Sequence, residues 1–364
     1  MATKVPDGDY RLFIDKYRPQ SFDNVKFNGT VANYLKACSK SNDVPHLIIK
    51  GPRGCGKNTF ANLYIKSKYN KDSIQVKRQT LAIKHASKSI ELQLLYSSYH
   101  YQIDPSAHGV YDRLIIQGFV KDVLQTKPIC NTPYHIIVIE NADRLTTEAQ
   151  QSLRRTLEKH IDNCRFVFII NQESTLIEPL MSRCVQFRLS APQYEQIVDI
   201  LQEICEKEKI PFKHEQIKQI AEYSKRNLNN AINLLQYIYI HLPDLLTKNE
   251  TIEFNKIIEI DGYLYDIADT LINKRNPKTV LLLRAKLYDL LVHCVDPIDI
   301  LKKLFHIIFN HFESKSFNEQ TKHQLVQILS KYENTLKQGS KPIYHLEGFT
   351  ISVMSLLSNL PLNL

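Results

Sequence analysis

The sequence predicts a parallel α/β module followed by two all-helical regions. Three observations carry this. Short runs of Ile, Val, Leu and Phe without polar alternation stand at 46–50, 135–140 and 165–171, as strands buried on both faces read. From about Leu12 to Leu189 these runs alternate with helical stretches, the order that builds a parallel sheet. Beyond Tyr194 the apolar residues recur three and four apart, the period of helices.

Length and composition fit this outline. The 364 residues, at roughly 100–200 per domain, make two or three domains. Hydrophobic residues at 43% and charged residues at 23% are the composition of a soluble globular protein. No run approaches the ~18 apolar residues of a membrane helix, so an integral membrane protein is not expected. The stretch 1–10 is polar and carries acids, which argues against a secretory signal. The 7 cysteines are widely spaced with no CxxC pair, against a disulfide framework or zinc ribbon and for a reducing compartment. No metal ligands are assigned. Lys plus Arg total 47 against 38 Asp plus Glu, a net charge of +9. That balance suits a polyanion, most often nucleic acid, as readily as it suits an incidentally basic protein. Tryptophan is absent, so stacking on bases would fall to Tyr or Phe.

The first element with a chemical signature follows the strand at 46–50. Gly51-Pro52-Arg53-Gly54-Cys55-Gly56-Lys57-Asn58-Thr59 opens a helical stretch at 60–66, the strand–loop–helix setting of a phosphate-binding loop. Glycines let the backbone wrap a phosphate, and the loop N–H groups and helix N-terminus offer positive potential. Lys57 would reach the β- and γ-phosphates. The next position normally carries a Ser or Thr hydroxyl for Mg²⁺; here it is Asn58, a poorer magnesium ligand, and Thr59 stands one residue late.

The strand at 135–140 ends in Glu140-Asn141-Ala142-Asp143. In P-loop ATPases such a strand supplies an acid that holds Mg²⁺, here Glu140. A second acid polarises the attacking water; Asn141 stands there, and an amide is no general base. The strand at 165–171 ends in Asn171, placed to orient water or sense a γ-phosphate, although Asn is common in turns. Ser182-Arg183-Cys184 follows a short helical stretch, Glu178–Met181. Ser190-Ala191-Pro192 and His241-Leu242-Pro243 break the chain, giving domains 1–190, 191–250 and 251–364. The last holds amphipathic stretches at 279–293 and 321–336, with Gly339-Ser340-Lys341-Pro342 before its final helix.

Four motifs in this order resemble the small subunits of replication factor C, an AAA+ clamp loader: Asp15-Lys16-Tyr17-Arg18-Pro19, the Gly51–Thr59 loop, Leu153-Arg154-Arg155-Thr156-Leu157-Glu158-Lys159, and Ser182-Arg183-Cys184. The stretch from Tyr99-His100 through Asp104-Pro105-Ser106, Gly109 and Asp112-Arg113 to Ile116-Gln117 resembles the small-subunit type with a degraded ATPase site, human subunit 3 and yeast subunit 5. Segments 287–294 and 339–349 resemble the collar of that type.

The resemblance implies an AAA+ P-loop module, a helical lid and an all-α collar. It implies assembly with other replication factor C subunits into a heteropentamer, acting on a PCNA-type sliding clamp and primer–template DNA. Tyr17, Arg18 and Pro19 match a segment lying against adenine. Gly51, Pro52, Arg53, Gly54, Cys55, Gly56, Lys57, Asn58 and Thr59 match the phosphate loop, with Glu140 and Asn171 as further nucleotide-site residues. Arg183 matches an arginine finger entering the neighbour's ATP site. Asn58, Asn141, Asn229 and Asn230 depart from the active pattern, so the expected cofactor is ATP or ADP with Mg²⁺ weak or absent, and hydrolysis by this chain is expected to be little or none. Arg226 is given no sensor role. Lys84, Lys88, Arg154 and Arg155 are candidate DNA contacts, each as readily a solvated charge, and Arg154 and Arg155 as readily structural.

Two rivals remain open to the sequence: an active AAA+ DNA-dependent ATPase or helicase, and an adaptor with a vestigial loop. The expected location is the nucleus, or a cytoplasmic factory if the protein is viral. Its richness in Asn, Lys and Ile suits an AT-rich genome.

Overall fold

The computed structural model describes residues 11–41, 44–69, 76–85, 88–125, 134–160, 163–172, 175–242, 259–273, 276–313, 319–339 and 341–358. The chain divides into two compact units, Met1–Ile252 and Glu253–Leu364.

The first unit opens with α1 (Phe13–Lys16) and α2 (Gly29–Lys40), then β1 (His46–Lys50) and α3 (Lys57–Tyr69). A hairpin of β2 (Lys77–His85) and β3 (Lys88–Tyr96) leads to β4 (His100–Ile103) and α4 (Asp112–Gln125). Next come β5 (His135–Ile139), α5 (Thr147–Lys159), β6 (Cys164–Ile170), α6 (Glu178–Met181) and β7 (Cys184–Arg188). The sheet order is β2-β3-β4-β5-β6-β1-β7. The predicted parallel sheet is there as β4, β5, β6, β1 and β7. The hairpin adds two antiparallel strands at one edge.

The central strands are apolar throughout because both faces are covered. Ile48, Ile137, Ile139, Phe166 and Phe168 face α4 and α5, meeting Ile116, Phe119, Leu153 and Leu157. Their alternates Leu47, Ile49, Ile136, Val138, Val167 and Ile169 face α2 and α3, meeting Leu35, Phe60, Leu63 and Tyr64. Period-two alternation between two apolar layers is what a buried parallel strand requires. The carboxyl ends of these strands then share one rim, where α/β sheets bind ligands.

Three helices follow among the described residues of this unit: α7 (Tyr194–Glu208), α8 (His214–Tyr223) and α9 (Leu228–His241). They bury Ile197, Leu201, Ile204, Ile217, Ile220, Ile232 and Leu235 at helical spacing. Asn227 caps α9, its Oδ1 accepting from Asn230 N at 3.2 Å.

The second unit is helical throughout its described residues: α10 (Glu259–Asn273), α11 (Pro277–Val292), α12 (Pro297–Glu313), α13 (Glu319–Gln338) and α14 (Pro342–Ser358). Proline opens three of them, its missing N–H costing nothing at a first turn. Leu264, Ile267, Leu271, Leu283, Leu287, Ile300, Leu304, Leu346, Phe349 and Val353 form one core. The breaks read at 241–243 and 339–342 include Pro243 and Ser340, which lie outside the described residues. No helix among the described residues is long and apolar enough to cross a membrane.

Candidate nucleotide site

Gly51–Thr59 joins the end of β1 to the first turn of α3 on the sheet's carboxyl rim. Two of its glycines need their freedom: Gly54 has φ +78° and Gly56 has φ +82°, backbone that L side chains rarely adopt. Lys57 is buried, and its Nζ donates to the carbonyls of Gly51 at 2.8 Å and Pro52 at 2.7 Å. Burial depresses its pKa, while the Asp143 carboxylate works the other way. The loop therefore cradles its own ammonium, and that geometry fits a phosphate as a replacement partner.

The magnesium side of the site has a different donor set. Asn58 Nδ2 donates to Glu140 Oε1 at 2.6 Å, and Gln102 Nε2 from β4 donates to the same oxygen. Burial raises the Glu140 pKa, the two amide hydrogen bonds lower it, and nearby Asp104 raises it. A hydrogen-bearing amide thus faces the carboxylate where a cation would need oxygens on both sides. In this arrangement Asn58 turns its donor rather than its carbonyl oxygen toward Glu140, the reverse of what a shared Mg²⁺ would take. Among the described residues, no group of three or more His, Cys, Asp or Glu is placed to hold a metal ion.

Asn141 is held in the left-handed region, φ 47° and ψ 39°, and its side chain meets the residue that follows β4. Its Nδ2 donates to Asp104 Oδ2 at 2.6 Å. Asp104 Oδ1 also accepts from Ser106 N at 3.2 Å and Ser106 Oγ at 2.5 Å, closing the start of the turn Pro105–Tyr111. Asn171 at the end of β6 donates to Asp143 Oδ2 at 3.4 Å, while Asp143 Oδ1 is buried with no hydrogen-bond partner among the described residues. Gln102, Asp104 and Asp143 are given no site role by the sequence. Asp143 is visible as the last residue of Glu140–Asp143 and Asp104 as the first of Asp104-Pro105-Ser106; Gln102 carries no local signal.

The lid helices reach this loop. A Cβ on Gly54 would lie 1.9 Å from Asn227 Oδ1, so the α9 cap rests directly on the phosphate loop. Arg226 is turned away, donating to Pro192 O at 3.0 Å and Ala191 O at 2.9 Å across the hinge between β7 and α7. Phe27 lies beside Gly56, and Asn28 bonds Ser190 in both directions, Nδ2 to Ser190 O at 3.0 Å and Ser190 N to Oδ1 at 3.2 Å. Tyr17 lies on the lid: its hydroxyl donates to Glu208 at 2.6 Å, the carboxylate that Lys16 also meets at 2.6 Å. Burial, then that carboxylate, raises the Tyr17 pKa. Arg18 pairs with Asp15 at 3.0 Å, and Pro19 follows, half-buried.

The remaining candidates stand elsewhere. Arg183 follows α6 and is exposed; its guanidinium meets Glu158 on α5 at 2.6 Å. Arg154 meets the same carboxylate at 3.3 Å. Arg155 lines a groove of about 750 Å³ between α4 and α5 with Arg113, Gln117, Ser152, Lys159 and His160. Lys84 and Lys88 sit on β2 and β3 next to the hairpin turn, with His85 paired to Lys88; their side chains lie outside the described residues.

A phosphate loop after the first strand of a parallel sheet, with the helices α7, α8 and α9 following and the α9 cap set on the loop, defines a P-loop nucleotide-binding module of the AAA+ class. Residues 27–193 match the family described as DNA polymerase III, delta subunit. Residues 199–240 match the RCF1/5-like AAA+ ATPase lid domain, and 261–360 the replication factor C subunit 3 C-terminal domain. Replication factor C subunit 5 of Oryza sativa is 33% identical over 352 residues, 95% of this chain and 97% of that protein. Human replication factor C subunit 3 is 31% identical over 350 residues, 95% and 96% of the two chains. Subunit 5 of Schizosaccharomyces pombe is 31% identical over 357 residues, 97% and 98%. Among solved structures, the Thermotoga maritima RuvB Holliday junction branch migration motor aligns with a TM-score of 0.48 at 16% identity, covering 74% of this chain and 85% of that one. The chain belongs to the replication factor C small-subunit family of AAA+ clamp loaders.

Proposed function

We propose that this chain is a clamp-loader small subunit that binds ATP or ADP, turns over little or none itself, and lends Arg183 to the ATP site of a neighbouring subunit. The observation that carries the reading is the pair of amide–carboxylate locks, Asn58 on Glu140 and Asn141 on Asp104, both at 2.6 Å. One amide stands in for the magnesium hydroxyl and the other for the water-polarising acid. Asn58 is a poorer magnesium ligand than a hydroxyl and Asn141 is no general base, whereas the glycine loop and Lys57 keep what phosphate binding needs.

On this reading the helical unit from Glu253 onward joins other replication factor C subunits in a heteropentamer. The assembly loads a PCNA-type clamp onto primer–template DNA in the nucleus, or in a cytoplasmic factory if the protein is viral. Arg154, Arg155, Lys84 and Lys88 are its proposed DNA contacts, and the lid is 191–250. A finger supplied in trans is worth on the order of 10³–10⁵ in rate in related NTPases.

The test is ATP turnover of the chain alone and with four partner subunits, clamp and primed DNA. The reading requires an inactive isolated chain, a complex slowed by Arg183→Ala and a complex nearly indifferent to Lys57→Ala. Turnover by the isolated chain that Lys57→Ala abolishes would establish an active ATPase or helicase instead.

A further inference from the structure

Glu158 stands in the last turn of α5, and two cations meet on one of its oxygens. Arg183 Nη2 lies 2.6 Å from Oε1, and Arg154 Nε donates to the same atom at 3.3 Å from one helical turn back. Arg183 also donates through Nη1 to Pro179 O at 2.7 Å and Ser182 Oγ at 3.4 Å. Those two acceptors are neutral and lie within four residues, so they travel with the loop that carries the arginine. Pro179 belongs to α6, which directly precedes the arginine; only the carboxylate comes from a helix distant in sequence, and only it is charged. Charge-assisted contacts are the stronger ones, and this one ties the loop to a helix packed on the sheet.

We propose that Glu158 is the positioning residue of the Arg183 finger; this rests on the trans-acting reading of Arg183. A finger is effective when its guanidinium already stands where charge develops, with no reorganisation left to do. Two hydrogen bonds engage Nη1 and the ion pair with Glu158 sits at Nη2, so the roughly five N–H donors of a guanidinium are not all taken and some are left for a phosphate oxygen on a neighbour. Arg154 serves the same end. By sharing Oε1 it draws on the negative charge of Glu158, so the carboxylate orients Arg183 without fully neutralising it.

The experiment uses the full reconstituted complex with clamp and primed DNA. Glu158→Gln, Glu158→Asp and Arg183→Ala are each measured for kcat and KM of ATP, with assembly followed by size-exclusion chromatography. Glu158→Gln is expected to lower kcat about fivefold, the upper range for an exposed ion pair, with KM and assembly unchanged. Glu158→Asp keeps the charge and is expected to recover part of the loss. Wild-type kcat in Glu158→Gln beside a slow Arg183→Ala would overturn the inference and leave the finger standing. Equal loss in Gln and Asp variants, or loss matched by poorer assembly, would make Glu158 structural. Wild-type turnover in Arg183→Ala would remove the finger reading and this inference with it.

Discussion

Replacing Asn141 by Asp changes one NH₂ to one oxygen and tests the lock on Asp104. The amide now donates to Asp104 Oδ2 at 2.6 Å. In Asn141→Asp two carboxylates would face each other with charges about 4 Å apart, repelling by about 4 kcal/mol at an effective dielectric of 20. Asp104 would also lose a hydrogen bond, worth about 1–3 kcal/mol at a charged acceptor. Both residues are half-buried, so solvent screens part of this, and the expected net loss is about 2–4 kcal/mol at pH 8. The loss should shrink toward pH 5, where the pair can share a proton. Exchanging the two residues, Asp104→Asn with Asn141→Asp, rebuilds the bond in reverse and should recover most of it. The assay is urea unfolding followed by far-UV circular dichroism at both pH values. A single variant as stable as wild type at pH 8, or an exchanged pair no better than the single, would refute the reasoning. If the reasoning holds, an acid restored at 141 meets Asp104 before it meets any water, so ATPase activity does not return with one substitution.

Three further outcomes are expected. Gly54→Ala, with φ +78° and a Cβ 1.9 Å from Asn227 Oδ1, should dislodge the α9 cap, cost about 1–3 kcal/mol and weaken nucleotide binding about tenfold; an unchanged Kd for a fluorescent ADP would contradict the contact. Nucleotide affinity by calorimetry should differ by less than about threefold between magnesium and EDTA, because an amide holds Glu140; a loss of about a hundredfold in EDTA would show a working metal site. Buried His46 and His100 are both pushed down to about 4 from 6.5, by burial and, for His46, by Arg165 as well. The folded state then resists protons that the unfolded state accepts. Stability is full above about pH 6.5, falls as pH drops toward about 4 by about 3 kcal/mol per histidine, and loses no more below that. Denaturation midpoints of wild type and His100→Gln across that window check the slope, which should be shallower in the variant.

The parts of the fold legible in the sequence are those whose signal is local. β1, β5 and β6 announce themselves as unbroken apolar runs, each predicted within a residue of its observed bounds. The phosphate loop and α6 were equally plain. The β2–β3 hairpin was not, since its strands carry lysines at an uncovered edge and lack the apolar run that marks a buried strand. β7 was missed for a related reason: it is the opposite edge, and Val185, Gln186 and Arg188 are exposed. In the site, the amides at 58 and 141 could be read as departures from an active pattern, but not their partners. Asn58 meets Glu140 across 82 residues and Asn141 meets Asp104 across 37, pairings that only the sheet order creates. Arg226 had no role in the sequence because its acceptors are backbone carbonyls, which no side-chain motif reveals.

The double covering of β1 has a consequence for how the loop beyond it is held at its height. In a strand with one wet face, slipping by one residue exposes the core, so burial fixes the alignment. Slip β1 by one, and Leu47 and Ile49 change places with Ile48, apolar for apolar on both sides. Greasiness cannot tell the two alignments apart. The polar ends can. His46 Nδ1 accepts from Phe166 N at 3.1 Å at one end, and Lys50 Nζ reaches Gln186 at 2.9 Å at the other. Gly51 N to Ile170 O at 3.3 Å and Leu189 N to Lys50 O at 2.7 Å seat the first residue of the loop. A handful of polar atoms thus acts as the vernier for β1, and an acid that protonates His46 would loosen the strand at its end far from the phosphate loop.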